Sequence, residues 1–254
     1  MPNTHSLRGR TAVVTGGSRG LGRAIARKLA DAGSAIAILD LPEALEKAEL
    51  PSDWKTFGID FSNPECGQAL EVIAGEIGEV DIVVANAGVV PPWRGMRQLD
   101  AVEWQSVMTI NVWGVAATLG AFASALAHSE HGSAVVMASI NGYKAHAKQV
   151  LYTASKHAVL GVMRAAALDM GADGTRVNAI APGPIATDAL MARIESRHRS
   201  GGPSPEEALA MLAAETATGR MATEDDVAEV ALWLASDAAG GITGTMVPVE
   251  SGLG

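Results

Sequence analysis

The chain has 254 residues, a formal net charge of −9 and one cysteine. That length accommodates one large α/β domain or two small ones and buries enough surface to need no covalent staples. The acidic balance, without any basic block, argues against nucleic acid as the main partner, and lone Cys66 excludes an intrachain disulfide, which suits a reducing compartment, expected to be the cytoplasm.

Met1–Arg10 contains no apolar core, so no secretory leader is expected there. Beyond it, short apolar, β-branched runs alternate with longer helical patterns. Thr11–Thr15, Ala35–Leu39, Thr56–Ile59, Asp81–Ala85, Ala134–Ala138, Arg176–Ile180 and Met246–Val249 read as strands. Most are apolar throughout, as strands buried on both faces of a parallel sheet are. Gly20–Ala32 reads as a helix closed by Gly33. Asn63–Ile77 reads as a helix opened by a capping box of Ser62 and Glu65, with Pro64 in its first turn. Tyr152–Met170 ends before Gly171, and Asp225–Ala235 is opened by Thr223 with Asp226.

Asn111–Ala127 is uncharged over 17 residues, near the lower limit for a membrane span. It is rich in Ala and Gly, carries Asn, Thr and Ser, and lacks Lys or Arg anchors at its ends. A helix buried in the core or at a subunit interface is expected, and no membrane. The β-α-β alternation implies a doubly wound, mostly parallel sheet with helices on both faces. No linker divides the chain, so 1–254 reads as a single domain. Within it, residues 188–220 contain no strand and read as a helical lid over the sheet edge. Arg193, Arg197, His198 and Arg199 are assigned there to a solvated face.

Three groups of residues carry chemistry. The loop Thr15-Gly16-Gly17-Ser18-Arg19-Gly20-Leu21-Gly22 joins the first strand to the first helix. Gly16 permits the turn, Gly20 allows backbone to approach a pyrophosphate, and Gly22 brings helix and strand together; the helix N-terminus offers free N–H groups. Asp40 ends the second strand 18 residues after Gly22, where a carboxylate can accept from an adenosine ribose hydroxyl and repel a 2′-phosphate. This favours NAD over NADP, against the single cation Arg19. Finally, Tyr152 and Lys156 stand at i and i+4 on one helix face, with Ser139 thirteen residues before the tyrosine. An ammonium beside a phenol can stabilise phenolate, which can take a proton from an alcohol. Such a pair alone is often only a helix surface contact. The other tyrosine, Tyr143, has Ala147 at i+4 and cannot take this role. The six histidines form no metal-ligand set, His128 and His131 being three apart without companion ligands.

Together these motifs resemble the short-chain dehydrogenase/reductase family over nearly the whole chain. The resemblance implies a Rossmann-type seven-stranded sheet and a homotetramer with contacts through helices at 107–128 and 152–170. Asn111 then completes an Asn-Ser-Tyr-Lys catalytic set with Ser139, Tyr152 and Lys156. Ser18, Arg19 and Leu21 join the loop glycines in holding the cofactor. Asp60 with Phe61 lies near the adenine, and Asn86-Ala87-Gly88 stabilises the sheet and lines the cofactor cleft. Pro182 and Gly183 open a cofactor-binding loop after the sixth strand, in which Ile185 and Thr187 meet the nicotinamide carboxamide. Trp93, Ile140, Asn141, His146, Pro184, Leu190 and Met191 are candidate substrate residues, with Val89, Val90 and Met211 as further apolar walls. Val249-Glu250-Ser251-Gly252 departs from the family's more usual Val-Asp-Gly-Gly, and the Asp40–Lys55 connection is short.

The implied reaction is NAD-dependent hydride transfer between nicotinamide and a small, fairly apolar or cyclic secondary alcohol or its ketone. Tyr152 acts as acid–base, Ser139 holds the substrate oxygen, Lys156 holds the ribose, and Asn111 holds a water that returns the proton. An ammonium about 5 Å from the phenol, at an effective dielectric of about 20, contributes roughly 3 kcal/mol, lowering the phenol's pKa by about two. Alternatives are a 3-oxoacyl carrier-protein reductase, a sugar or polyol dehydrogenase and, from another class, a non-catalytic cofactor sensor.

Overall fold

A computed structural model describes residues 5–253; Met1–Thr4 of the stretch read as lacking a leader, and Gly254, lie outside the described residues. The strands are β1 (Thr11–Thr15), β2 (Ala35–Asp40), β3 (Lys55–Gly58), β4 (Ile82–Ala85), β5 (Ser133–Met137), β6 (Arg176–Pro182) and β7 (Met246–Val249). They form one seven-stranded sheet in the order β3-β2-β1-β4-β5-β6-β7, and every adjacent pair is parallel. The expected strands are all present, with small shifts at their ends.

Strand alternation sorts side chains between two cores. Val13 of β1 and Ala134 and Val136 of β5 face one layer, which includes Leu70, Phe122 and Met163. Ala12, Val14, Val135 and Met137 face the other, with Ile25, Leu29 and Val227. The first layer is built by α3 (Cys66–Ile77), α5 (Gly114–His128) and α6 (Val150–Asp169). The second is built by α1 (Gly20–Asp31) and α9 (Glu224–Ala235). Apolar runs without alternation are therefore what both-face burial required.

The order reverses between β1 and β4, which opens a crevice at the carboxyl ends of the strands. Gly16, Asp40, Asn86, Ser139 and Pro182 all lie at or just beyond those ends.

Several elements differ from expectation. The helix predicted from Asn63 begins at Cys66, and the Ser62–Glu65 capping box does not form. Asp60 Oδ1 accepts from the Ser62 N–H at 2.8 Å, and Asn63 Oδ1 from the Glu65 N–H at 2.9 Å. These local turns compete with the helix for the same backbone donors. The Thr223–Asp226 box does form, Thr223 Oγ1 accepting from the Asp226 N–H at 3.1 Å. Two short helices went unpredicted, α2 (Pro42–Lys47) and α4 (Ala101–Met108).

The uncharged segment is part of one continuous stretch, Ala101–His128, formed by α4, a π-turn over Thr109–Trp113 and α5. It is long and apolar enough to cross a membrane, and Leu119, Phe122 and Leu126 are buried against the sheet. The 188–220 segment carries α7 (Asp188–Arg199) and α8 (Pro205–Ala214), with no named strand. The chain's end packs along it: the Ala217 N–H donates to Gly252 O at 2.9 Å, and Lys144 Nζ donates to Leu253 O at 2.5 Å.

Candidate active site

The glycine loop is held by close approach. Gly16 has φ +63°, and a Cβ there would lie 2.9 Å from Ala87 Cα. A Cβ on Gly22 would lie 2.2 Å from Gly16 O, so helix and loop touch backbone to backbone. Gly20 has φ +54°, and the nearest group to a Cβ there would be Glu224 Oε1 at 3.9 Å. Arg19 occupies the position before α1 without a side-chain cap, leaving the first N–H groups without a side-chain acceptor. This cradle and its bare helix terminus fit a dinucleotide pyrophosphate. Ser18 is buried, and Leu21 packs against the α1–α9 layer.

Asp40 is fixed rather than free. Its Oδ2 accepts from Ser18 N–H at 3.0 Å and Ser18 Oγ at 2.6 Å, and its Oδ1 accepts from Leu41 N–H at 2.8 Å. Arg19 is exposed, and its side chain has no hydrogen bond or ion pair among the described residues.

Three residues expected at the cofactor prove to use their side chains for support. Asn86 Nδ2 donates to Thr15 O at 2.9 Å and Gly16 O at 3.0 Å, tying β4 to the glycine loop. Phe61 is buried in the core, where a Cβ on Gly114 would lie 3.1 Å from its ring. Asp60 caps its own turn. Of these, Asp60 is exposed and retains a free Oδ2, while Phe61 can offer a ligand only its backbone.

The catalytic candidates converge beyond β5. Lys156 is 6% exposed; its Nζ donates to Met137 O at 2.8 Å and lies 5.9 Å from the Tyr152 ring centre. The Ser139 side chain acts on the Tyr152 phenol, opposing the rise of its pKa, and its Oγ accepts from the Asn141 N–H at 3.2 Å. Asn111 sits in the π-turn, fully buried. Its Oδ1 accepts from the Val89 N–H at 2.8 Å, and its Nδ2 donates to Val89 O at 2.9 Å and Ser155 Oγ at 3.2 Å. Its amide thus clamps the loop after β4 onto α6. A Cβ on Gly88 would lie 3.2 Å from Asn111 Oδ1 and 3.8 Å from Lys156 Nζ, so this glycine lets the three groups close up.

Burial raises the Tyr152 pKa above its ordinary value, and the opposing groups are Ser139 and Arg193. Burial also lowers the pKa of Lys156, to about 8. Arg193, assigned to a solvated face, is half-buried, and its charge acts on the tyrosine. Arg197, His198 and Arg199 are exposed as expected.

Beyond β6, the Gly183 N–H donates to Val249 O at 3.0 Å, and a Cβ on Gly183 would lie 2.7 Å from Glu250 Cβ. Ile185 is buried. Thr187 Oγ1 accepts from the Leu190 N–H at 3.4 Å, capping α7 and keeping its own proton to donate.

The substrate candidates divide. Trp93 lines a small cavity with Tyr152. Asn141 is buried, its amide donating to Gln149 Oε1 at 2.9 Å and Thr153 Oγ1 at 3.1 Å, and Ile140 is buried beside it. His146 Nε2 is buried without a hydrogen-bond partner. Pro184, Leu190 and Met191 are half-buried near the start of α7. Met211 is 59% exposed.

A family model described as enoyl-(acyl carrier protein) reductase matches residues 16–254. The cis-4-hydroxycyclohexanecarboxylate dehydrogenase of Sinomonas cyclohexanicum is 35% identical, over 96% of this chain and 96% of its own. The short chain dehydrogenase/reductase astE of Aspergillus oryzae is 34% identical, over 98% and 96%. The carveol dehydrogenase of Mycobacterium avium, solved in complex with NAD, superposes with a TM-score of 0.88 at 30% identity, covering 97% of this chain and 98% of that one. The sheet order, the glycine cradle and these relatives agree: the chain belongs to the short-chain dehydrogenase/reductase family, whose relatives here are oxidoreductases acting on alcohols and ketones.

Proposed function

We propose that this protein is an NAD-dependent dehydrogenase/reductase for a small, fairly apolar or cyclic secondary alcohol, with Tyr152 as its acid–base. The observation that carries the reading is the convergence of the Tyr152 phenol, the Ser139 hydroxyl and the Lys156 ammonium beyond β5. A bound oxidised nicotinamide supplies the hydride acceptor and a positive charge. Tyr152 Oη takes the alcohol proton, and Ser139 Oγ donates to the substrate oxygen as charge develops on it. Lys156 keeps a cation beside the phenolate and reaches toward the ribose hydroxyls, while Asn111 positions the loop and α6 between them. The relative acting on a hydroxycyclohexanecarboxylate supports a cyclic alcohol. A panel of secondary alcohols and ketones, read by nicotinamide absorbance with NAD and with NADP, tests the reaction class.

Asp40 supports NAD. Its carboxylate is held by Ser18 at the end of β2, and a 2′-phosphate bound beside it would meet a fixed negative charge. Wild type is expected to favour NAD in kcat/KM by at least about tenfold, about 1.4 kcal/mol. Asp40→Asn keeps an acceptor for Ser18 but removes the charge, so the preference should narrow, with exposed Arg19 then able to meet the phosphate. A wild-type preference for NADP would sink this assignment.

A homotetramer is the proposed assembly. Trp104, Met108, Val112 and Trp113 line an exposed apolar groove along α4 and the π-turn, with Trp104 36% and Trp113 46% exposed. Light scattering should give four times the 26.1 kDa chain mass; a single-chain mass contradicts it.

A further inference from the structure

Arg193 is a half-buried cation without a counter-charge. Its Nε donates to Ala189 O at 3.1 Å, and no Asp or Glu carboxylate lies within 4.0 Å of it or of Arg197 among the described residues. Burial disfavours its charged form, and the neighbours that act on it electrostatically are Tyr152 and Arg197. Arg197, one turn further along α7, lies over the Trp93 ring with its guanidinium carbon 3.7 Å from the ring centre. Trp93 lines the cavity that Tyr152 also lines. Lys148 lines it too, and the one carboxylate there, Glu103, is bound by Arg94 at 2.7 Å. Arg197 thus lies against the Trp93 wall of this cavity with Arg193 one turn before it on α7, while Lys148 and the apolar residues Pro91, Pro92 and Leu99 line the cavity itself. Desolvating a cation this way is costly unless a partner arrives, and a planar guanidinium matches a carboxylate in a two-point pair.

Resting on the hydride-transfer reading above, we propose that the alcohol oxidised here bears a carboxylate, held by Arg193 at the lid with Arg197 braced on Trp93 behind it. The ring or chain between carboxylate and carbinol lies against the apolar walls, and the hydroxyl reaches Tyr152 and Ser139.

The test compares hydroxy acids with their neutral carboxamides on the same skeletons: 4-hydroxycyclohexanecarboxylate, 3-hydroxycyclohexanecarboxylate, 3-hydroxybutanoate and 4-hydroxypentanoate. The proposal expects at least one acid to exceed its amide tenfold or more in kcat/KM, and expects that ratio to collapse toward one in Arg193→Gln. Because the readout is a ratio within each enzyme, a general loss of activity does not mimic the result. In wild type, raised ionic strength should lower the acid's kcat/KM and leave the amide's in place, which checks the proposal without a variant. Amides equal to or better than acids throughout, or an acid preference that survives in Arg193→Gln, would overturn it. Turnover of neutral alcohols such as cyclohexanol alone keeps the hydride-transfer reading and overturns the carboxylate. No turnover of any panel member with either nucleotide overturns both.

Discussion

Tyr152→Phe is expected to lose about a thousandfold or more in kcat while binding NAD as wild type does. Phenylalanine preserves the ring beside the Lys156 ammonium, 5.9 Å from its centre, and removes only the hydroxyl on which Ser139 acts. General acid–base groups contribute about 10² to 10⁴ in rate, and no second phenol is placed to substitute. Tyr143 is partly buried among the core residues beside α6 and has no lysine one turn on. Nucleotide affinity is read by fluorescence titration and turnover by absorbance. Residual activity within tenfold of wild type would remove Tyr152 from the acid–base role.

Lys156→Met separates activity from stability. Turnover should fall by about a hundredfold or more, since the variant lacks the cation that steadies the phenolate. Stability should rise at neutral pH. The native lysine is 6% exposed and its pKa falls from 10.5 to about 8; that gap corresponds to about 3 kcal/mol of burial cost. Losing the bond to Met137 O returns about 1 kcal/mol, leaving a net gain of about 2 kcal/mol. Below pH 8 the lysine is charged in both folded and unfolded states, so the variant's advantage is full. Between pH 8 and 10.5 the unfolded chain binds more protons than the folded one, wild type gains stability, and the advantage shrinks. Denaturant melts at pH 7 and pH 10 without nucleotide, at equal protein concentration, measure this. A variant less stable than wild type at pH 7, or a difference independent of pH, contradicts the burial argument.

Much of this arrangement is legible in the chain because local chemistry dictates it. β4 and β5 read as unbroken apolar runs because both faces are covered. Gly16 and Gly22 read as loop residues because backbone meets backbone there. The Thr223–Asp226 cap was visible for the same reason, whereas Ser62–Glu65 misled because Asp60 and Asn63 take the backbone donors first.

What was hidden depends on tertiary placement. The partial burial of Arg193 depends on tertiary packing, and its spacing from Arg197 is that of any solvated helix face. Its signal was faint: a cation one turn from Leu190 on an otherwise charged helix. The extra residue of the π-turn at Asn111 has no pattern of its own. The rise of the phenol's pKa follows burial, which i, i+4 spacing does not report. Asn86 reads as an element that stabilises the sheet, and its bonds to Thr15 and Gly16 do so, whereas the burial of the Phe61 ring shows only in the packing.

The central claim is direct hydride transfer at Tyr152, and an isotope test addresses it. Secondary alcohols deuterated at the carbinol carbon, cyclohexanol and the hydroxy acids above, are incubated with NAD and enzyme, and the reduced nucleotide is analysed by mass spectrometry. Deuterium should appear at nicotinamide C4 with at least one alcohol, at a rate lowered about a thousandfold by Tyr152→Phe. Reduced nucleotide lacking deuterium, or equal label transfer by Tyr152→Phe, would contradict the mechanism.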